Sequence, residues 1–320
     1  MRRDTVRHVR AVANEPIMKS QMPNALVAEY LYGKPLYPLA PLSWLLPWWS
    51  FLCGVAASAG WHGSGSHILR LLSGCLLVGP LLGTAWAACT RNGWREELPN
   101  DPPGDADGNR VPVLPYTLPG SASAALSARI SALGSWWKRV EPRLSRPLAQ
   151  LALSTVFALA IAAQLGQQSL VIVFASLVVA YASGLLRPRL AHNPLVSHAL
   201  PLLGAWLLGH AAYARIAPLS ALAAVGFSLV CAALFTISHR LRSVRQNTLW
   251  LAVPWAVALA SLIGVMQPVA AAAVALLGSL FLLLAPLLET EPGRAQYFRT
   301  VQIPLAASMI VTAMALGYTP

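Results

Sequence analysis

Apolar and polar positions are sorted into long blocks along this chain rather than alternating residue by residue. Nine apolar runs stand near residues 41–59, 70–90, 147–165, 169–187, 199–214, 217–238, 249–266, 269–288 and 301–318. Most approach the roughly 20 residues that a helix needs to cross a bilayer, and the fifth is the shortest. None carries Asp or Glu in its interior. They are rich in Leu and Ala and lack the period-two alternation of a strand. Inside lipid, a backbone must satisfy its own hydrogen bonds, which a helix does alone. The pattern therefore predicts an all-α polytopic membrane bundle of about nine transmembrane helices.

The polar blocks between the runs set the organisation. Residues 1–40 form a basic tail whose end, NALVAEYLYGKPL, has the makings of a short interfacial helix. Residues 41–318 form the transmembrane domain, interrupted by the one large loop, 91–146. The first half of that loop is rich in Pro, Gly and Asp and predicts irregular chain. Its second half, ALSARISALGSWWKRVEPRL, has helical spacing with basic flanks and predicts an amphipathic helix on the cytoplasmic side. Trp44, Trp48 and Trp49 stand where the first run meets the headgroups, as aromatic anchors do. Pro80, Pro254, Pro286 and Pro304 fall in or near runs and predict kinks.

Charge fixes the orientation. Of the 23 Lys and Arg residues, all but Arg70 and Arg215 fall on the tail or the even-numbered loops, and so do all 11 acidic residues. By the positive-inside rule the N-terminus is cytoplasmic and the C-terminus periplasmic. The formal charge of +12 is thus a topology signal, suited to anionic membrane lipids rather than to nucleic acid, since no soluble basic domain exists to bind the latter.

Composition agrees. Hydrophobic residues make up 56% and charged residues 11% of the 320, too few charges to solvate a soluble protein of this size. The first 39 residues lack the apolar core of a cleavable signal. Cys53, Cys75, Cys89 and Cys231 lie in or beside runs at spacings that match no metal motif, which makes them packing residues.

Several separated segments, in order, carry a family resemblance. PLSWLLPWWSFLCGVAASAG and LVGPLLGTAWAA resemble the first two spans of bacteriochlorophyll and chlorophyll synthases, in the UbiA prenyltransferase superfamily. AYASGLLRPRL after the fourth run, TISHRLRSVRQN after the sixth and AQYFRTVQIPLAASMIVTAMALGY at the end are similar to further stretches of those enzymes. The resemblance covers roughly residues 40–318 and implies a UbiA-like bundle descended from a bacteriochlorophyll synthase. In that family two acidic clusters on cytoplasmic loops hold Mg²⁺, which neutralises the diphosphate leaving group of an isoprenoid donor.

At the matching positions the carboxylates are gone. Cys89 and Thr90 stand where the first cluster begins, Gly93 replaces the next aspartate, and Glu97 alone is acidic. Arg240, Arg245 and Asn247 replace an aspartate, a glutamate and an aspartate of the second cluster. Unit charges roughly 4 Å apart interact by about 4 kcal/mol at an effective dielectric of about 20, so the two arginines reverse the field that would hold a cation. The expectation is a catalytically inactive descendant, serving as an accessory subunit or pigment-binding assembly factor beside reaction-centre or light-harvesting proteins in a bacterial inner or photosynthetic membrane. The expected ligands are bacteriochlorophyll, carotenoid, quinone or lipid.

Other residues have rival readings. Arg187, Arg189 and Arg242 suit an anion or headgroup, with topology as the plainer explanation. His198 and His210 could ligate the Mg of a pigment, or simply hydrogen-bond a neighbouring helix. Asp101, Asp105 and Asp107 in the second loop are either a solvated acidic turn or a relocated Mg²⁺ site of an active prenyltransferase esterifying bacteriochlorophyllide. Transport is the weakest class, because no run holds an acidic relay.

Overall fold

The structure is a computed structural model, and it describes residues 45–60, 65–90, 126–127, 134, 149–186, 193, 195–239 and 244–318. All regular structure among them is helical, with no strand. The helices are α1 (Leu46–Ala57), α2 (Gly65–Leu76) and α3 (Gly83–Thr90), the last two joined through a π-helical turn at Leu77–Leu82. Then come α4 (Ala149–Leu165), α5 (Gln167–Leu186) and α6 (Leu200–Ala211), the last preceded by a π-turn at Leu195–Ala199. The chain continues with α7 (Pro218–His239), α8 (Val244–Gly264), α9 (Pro268–Leu283), a 3₁₀ turn at Ala285–Glu289 and α10 (Glu291–Gly317).

Where the structure describes them, the apolar runs fall largely on helix. Three stretches, Gly65–Trp86, Pro218–Ile237 and Gln296–Gly317, are long and apolar enough to cross a membrane by length and composition, and the remaining apolar helices are shorter. The exterior is apolar: Val269, Ile303 and Leu283 are 82%, 74% and 72% exposed. The interior holds small hydroxyl residues, and the buried Ser50, Ser261 and Ser308 each donate to a backbone carbonyl. This inversion suits a bundle whose solvent is lipid, where small residues allow close approach. The chain is a membrane protein on these grounds.

The prolines shape the helices locally. Pro80 cannot donate to the ladder, and the chain there widens into a π-turn. The Thr84 hydroxyl donates to the Pro80 carbonyl at 2.6 Å and the Leu81 carbonyl at 2.9 Å, satisfying acceptors around the irregularity. Pro254 and Pro304 sit inside α8 and α10. Pro286 ends α9 as a 3₁₀ turn instead of letting it continue. On the side expected to face the periplasm the connections are short. Gly166, at φ +127°, makes a one-residue break between α4 and α5 that an L side chain would resist.

Six helices pack in a closed circuit: α1 on α6, α6 on α7, α7 on α8, α8 on α9, α9 on α10, and α10 back on α1. Its interior is aromatic, with Trp206, Phe227, Tyr297 and Phe298 all but completely buried. A second core lies on the other side of α1 and α6, where Phe51, Val55 and Leu208 meet Leu77, Ala158, Val173 and Leu177 from α2–α5. The α1–α6 pair is therefore shared by both cores. Its helices touch backbone to backbone: a Cβ at Gly54 would overlap the Trp206 carbonyl, and one at Gly209 would overlap that of Phe51. Ser50 donates to the Leu202 carbonyl at 2.8 Å across the same crossing.

Two of the tryptophans expected as anchors pack against other helices. Trp49 Nε1 donates to the Ala306 carbonyl at 3.2 Å, tying α1 to α10, and the Trp48 indole fills the space beside Gly79. Trp44 lies outside the described residues. Cys53 and Cys231 are buried packing residues as expected, Cys75 and Cys89 are half-buried, and all four are free thiols.

Candidate functional site

The residues picked out by sequence fall into three groups. Gly93, Glu97, Asp101, Asp105, Asp107, Arg187, Arg189, Arg240 and Arg242 lie outside the described residues. Cys89 and Thr90 end α3, with Cys89 packed on the second core. Arg245 and Asn247 sit in the first turns of α8, placed by backbone alone. Among the described residues, no three His, Cys, Asp or Glu side chains gather where an ion would fit.

The two histidines differ from each other. His198, in the π-turn before α6, lies against Phe235 of α7 with ring centroids 3.7 Å apart. His210 is buried near the end of α6, and its Nε2 accepts the Ala217 backbone N–H at 3.1 Å. An accepting Nε2 is the unprotonated nitrogen, so the ring proton sits on Nδ1. The lone pair that a pigment metal would require is thus engaged in holding the start of α7. Beside it, Tyr213 Oη donates to the His67 carbonyl at 2.7 Å and Arg70 Nη1 reaches the Ala212 carbonyl at 3.4 Å. These bonds clasp the beginning of α2 to the α6–α7 connection. Burial raises the Tyr213 phenol above its usual value, with Arg70 opposing and Cys75 adding to the effect.

A feature that the sequence reading did not anticipate lies between α7, α8 and α9. A cleft of about 240 Å³ opens there, lined by Val230, Leu251, Trp255, Leu259, Gly278, Ser279, Phe281 and Leu282, among others. Trp255 is its one aromatic nitrogen-bearing wall. The indole ring meets Phe227 edge-on at 5.9 Å and Phe281 at 4.9 Å. Phe227 in turn stacks on Trp206 at 6.0 Å, so a row of four rings runs from α6 to α9. Gly278 makes room for the indole: a Cβ there would overlap Nε1.

The contrast between the two inner tryptophans is chemical. Trp206 Nε1 donates to Ser220 Oγ at 3.1 Å. Trp255 Nε1 has no hydrogen-bond partner among the described residues, and the residue is only 9% exposed. An unpartnered buried donor costs about 1–3 kcal/mol, and this one is covered by the Gly278 backbone rather than open to the cleft. The sequence held a weak signal for it. Trp255 follows Pro254 in the middle of a run, far from the ends where tryptophans anchor membranes.

No family model, curated protein or solved structure matches this chain.

Proposed function

We propose that the chain is a catalytically silent relative of the bacteriochlorophyll synthases, of UbiA type. In this reading it serves as an accessory subunit or pigment-binding assembly factor of a bacterial photosynthetic complex. All nine apolar helices cross the bacterial inner or photosynthetic membrane, with the N-terminus cytoplasmic and the C-terminus periplasmic. The helices at the described parts of the apolar runs, three of them long enough to cross a membrane, and the apolar exterior support the membrane-bundle part of the reading.

The observation that carries the functional part is the substitution of the metal-binding acids. Cys89, Thr90 and Gly93 at one cluster, and Arg240, Arg245 and Asn247 at the other, leave Glu97 as the single carboxylate of the two clusters. Mg²⁺ dehydrates reluctantly and is held through carboxylates and substrate phosphates, so neutral and cationic replacements remove its reason to bind. The hydrophobic frame that once held pigment and isoprenoid then remains without the leaving-group chemistry.

The test is enzymatic. Purified chain is incubated with bacteriochlorophyllide, geranylgeranyl diphosphate and Mg²⁺, and esterified pigment is measured. The expected result is no product above a protein-free blank. Mg²⁺-dependent turnover that Asp101→Ala, Asp105→Ala or Asp107→Ala abolishes would overturn the reading and place the metal in the second loop.

A further inference from the structure

We infer that the α6–α7 connection is a proton-operated latch, in which neutral His210 holds the start of α7 and a proton on Nε2 releases it. The inference stands on this connection alone. It is independent of the chain's ancestry and of which compartment this end of the bundle faces.

The holding bond comes first. His210 sits one residue before the end of α6 and is 3% exposed. Its Nε2 accepts the N–H of Ala217, the residue before the Pro218 that opens α7. Ala217 in turn gives its carbonyl to the Ala221 N–H at 3.0 Å, so the bond pins the first turn of α7. An imidazolium donates from both nitrogens and accepts at neither. Protonation therefore abolishes this bond and leaves two N–H groups facing each other.

The surroundings offer the cation no compensation. Nδ1 has no hydrogen-bond partner among the described residues. The titratable and charged groups on the elements packed here are Cys53 of α1, His67, Arg70 and Cys75 of α2, Tyr181 of α5, Tyr213 and Arg215 of the connection, and Tyr318 after α10. The start of α7 adds none before Cys231. None of these is a carboxylate, and the Arg70 guanidinium already reaches the Ala212 carbonyl, two residues from His210, at 3.4 Å. A further cation buried beside it costs free energy that opening to water relieves.

Water is close and the opening is bounded. Arg70 and Arg215 are exposed and mark the aqueous edge, and Ala217 and Pro218 are exposed beside them. One turn deeper, the buried Trp206 Nε1 donates to the buried Ser220 Oγ at 3.1 Å. Neither group of that pair changes charge, so it holds α7 against α6 when the latch opens.

The test is amide hydrogen exchange of the full chain in nanodiscs, read over residues 212–222 and corrected for the intrinsic effect of pH. An opened ring titrates at the ordinary histidine value near 6.5, so opening takes up a proton and grows about tenfold per pH unit below it. Protection of this segment should fall about thirtyfold from about pH 7.5 to about pH 5. Residues 224–232, beyond the Trp206–Ser220 tie, should keep theirs. His210→Gln retains an acceptor near the Nε2 position and has no ring to charge, and its segment should stay level across the same range. His67→Gln removes the ring that abuts Tyr213 on this face and should show the native fall. Magnetic resonance of the native chain with labelled histidine needs no variant. It should show one ring with an unprotonated, hydrogen-bonded nitrogen at neutral pH, which becomes doubly protonated as the segment opens. A native-sized fall in His210→Gln, a fall lost in His67→Gln, or equal loss of protection throughout α7 would overturn the latch. So would a native segment that stays protected while every histidine ring charges.

Discussion

Glycine meets backbone at the α1–α6 crossing, and glycine meets a tryptophan ring at the α8–α9 crossing. At the first, Gly54 and Gly209 press on the carbonyls of Trp206 and Phe51, and both cores of the molecule lean on the pair. At the second, Gly278 accepts the Trp255 indole beside an open cleft. Backbone cannot move aside without moving a helix, whereas a side chain can turn. The first crossing is thus a fixed spine and the second an adaptable wall. The cleft between α7, α8 and α9 lies at the second.

The sharpest way to break the comparison is to put side chains at both crossings. Gly54→Leu or Gly209→Leu should prevent assembly of the bundle, read as loss of monodisperse protein in detergent. Even Gly54→Ala should cost about 3 kcal/mol, at the upper end of overpacking penalties, and lower the melting temperature accordingly. Gly278→Ala should cost less, about 1–2 kcal/mol, because the indole can shift. Combining it with Trp255→Phe should restore part of that loss, a coupling that a double-mutant cycle measures. If Gly54→Ala and Gly278→Ala cost the same, the distinction between spine and wall is wrong.

Single hydrogen bonds should weigh less. Ser50→Ala removes the bond to the Leu202 carbonyl and should cost about 0.6 kcal/mol, typical of interhelical bonds in membranes, by the same thermal assay. The smallest effect belongs to the clasp between the start of α2 and the α6–α7 connection. Burial raises the Tyr213 phenol, so its contribution is complete below the usual tyrosine value near 10 and is lost as pH rises through the elevated native value. Tyr213→Phe should lower the neutral melting temperature by no more than Ser50→Ala does, through loss of the bond to the His67 carbonyl, and should flatten the alkaline decline.

The positions of the helices were legible in the sequence because lipid demands long uncharged runs, and their ends were less so. The run at 301–318 belongs to a helix that begins at Glu291, and the run at 249–266 to one that begins at Val244. Hydropathy stops at the last apolar residue, but the hydrogen-bond ladder continues through polar residues into the interface. At the other end of the scale, the run at 269–288 outlasts its helix, which stops at Leu283 before Pro286. Pro80 read as a kink and proved to be a π-turn, a choice that depends on Thr84 and the neighbouring helices. The Trp255 cleft was hidden for a different reason. Its glycine and tryptophan lie on separate helices of like composition, and in a membrane protein the inward and outward faces are both apolar. The histidines illustrate the reverse problem, in which residue type suggested chemistry and His210 turned out to hold a connection.

The central claim is that the chain serves beside pigment proteins and not as an enzyme. The most direct measurement is purification from its native membrane in mild detergent, with an absorption spectrum of the product and mass spectrometry of the chains that travel with it. The account predicts stoichiometric co-migration with reaction-centre or light-harvesting proteins and a bacteriochlorophyll spectrum. A colourless chain running alone would contradict it.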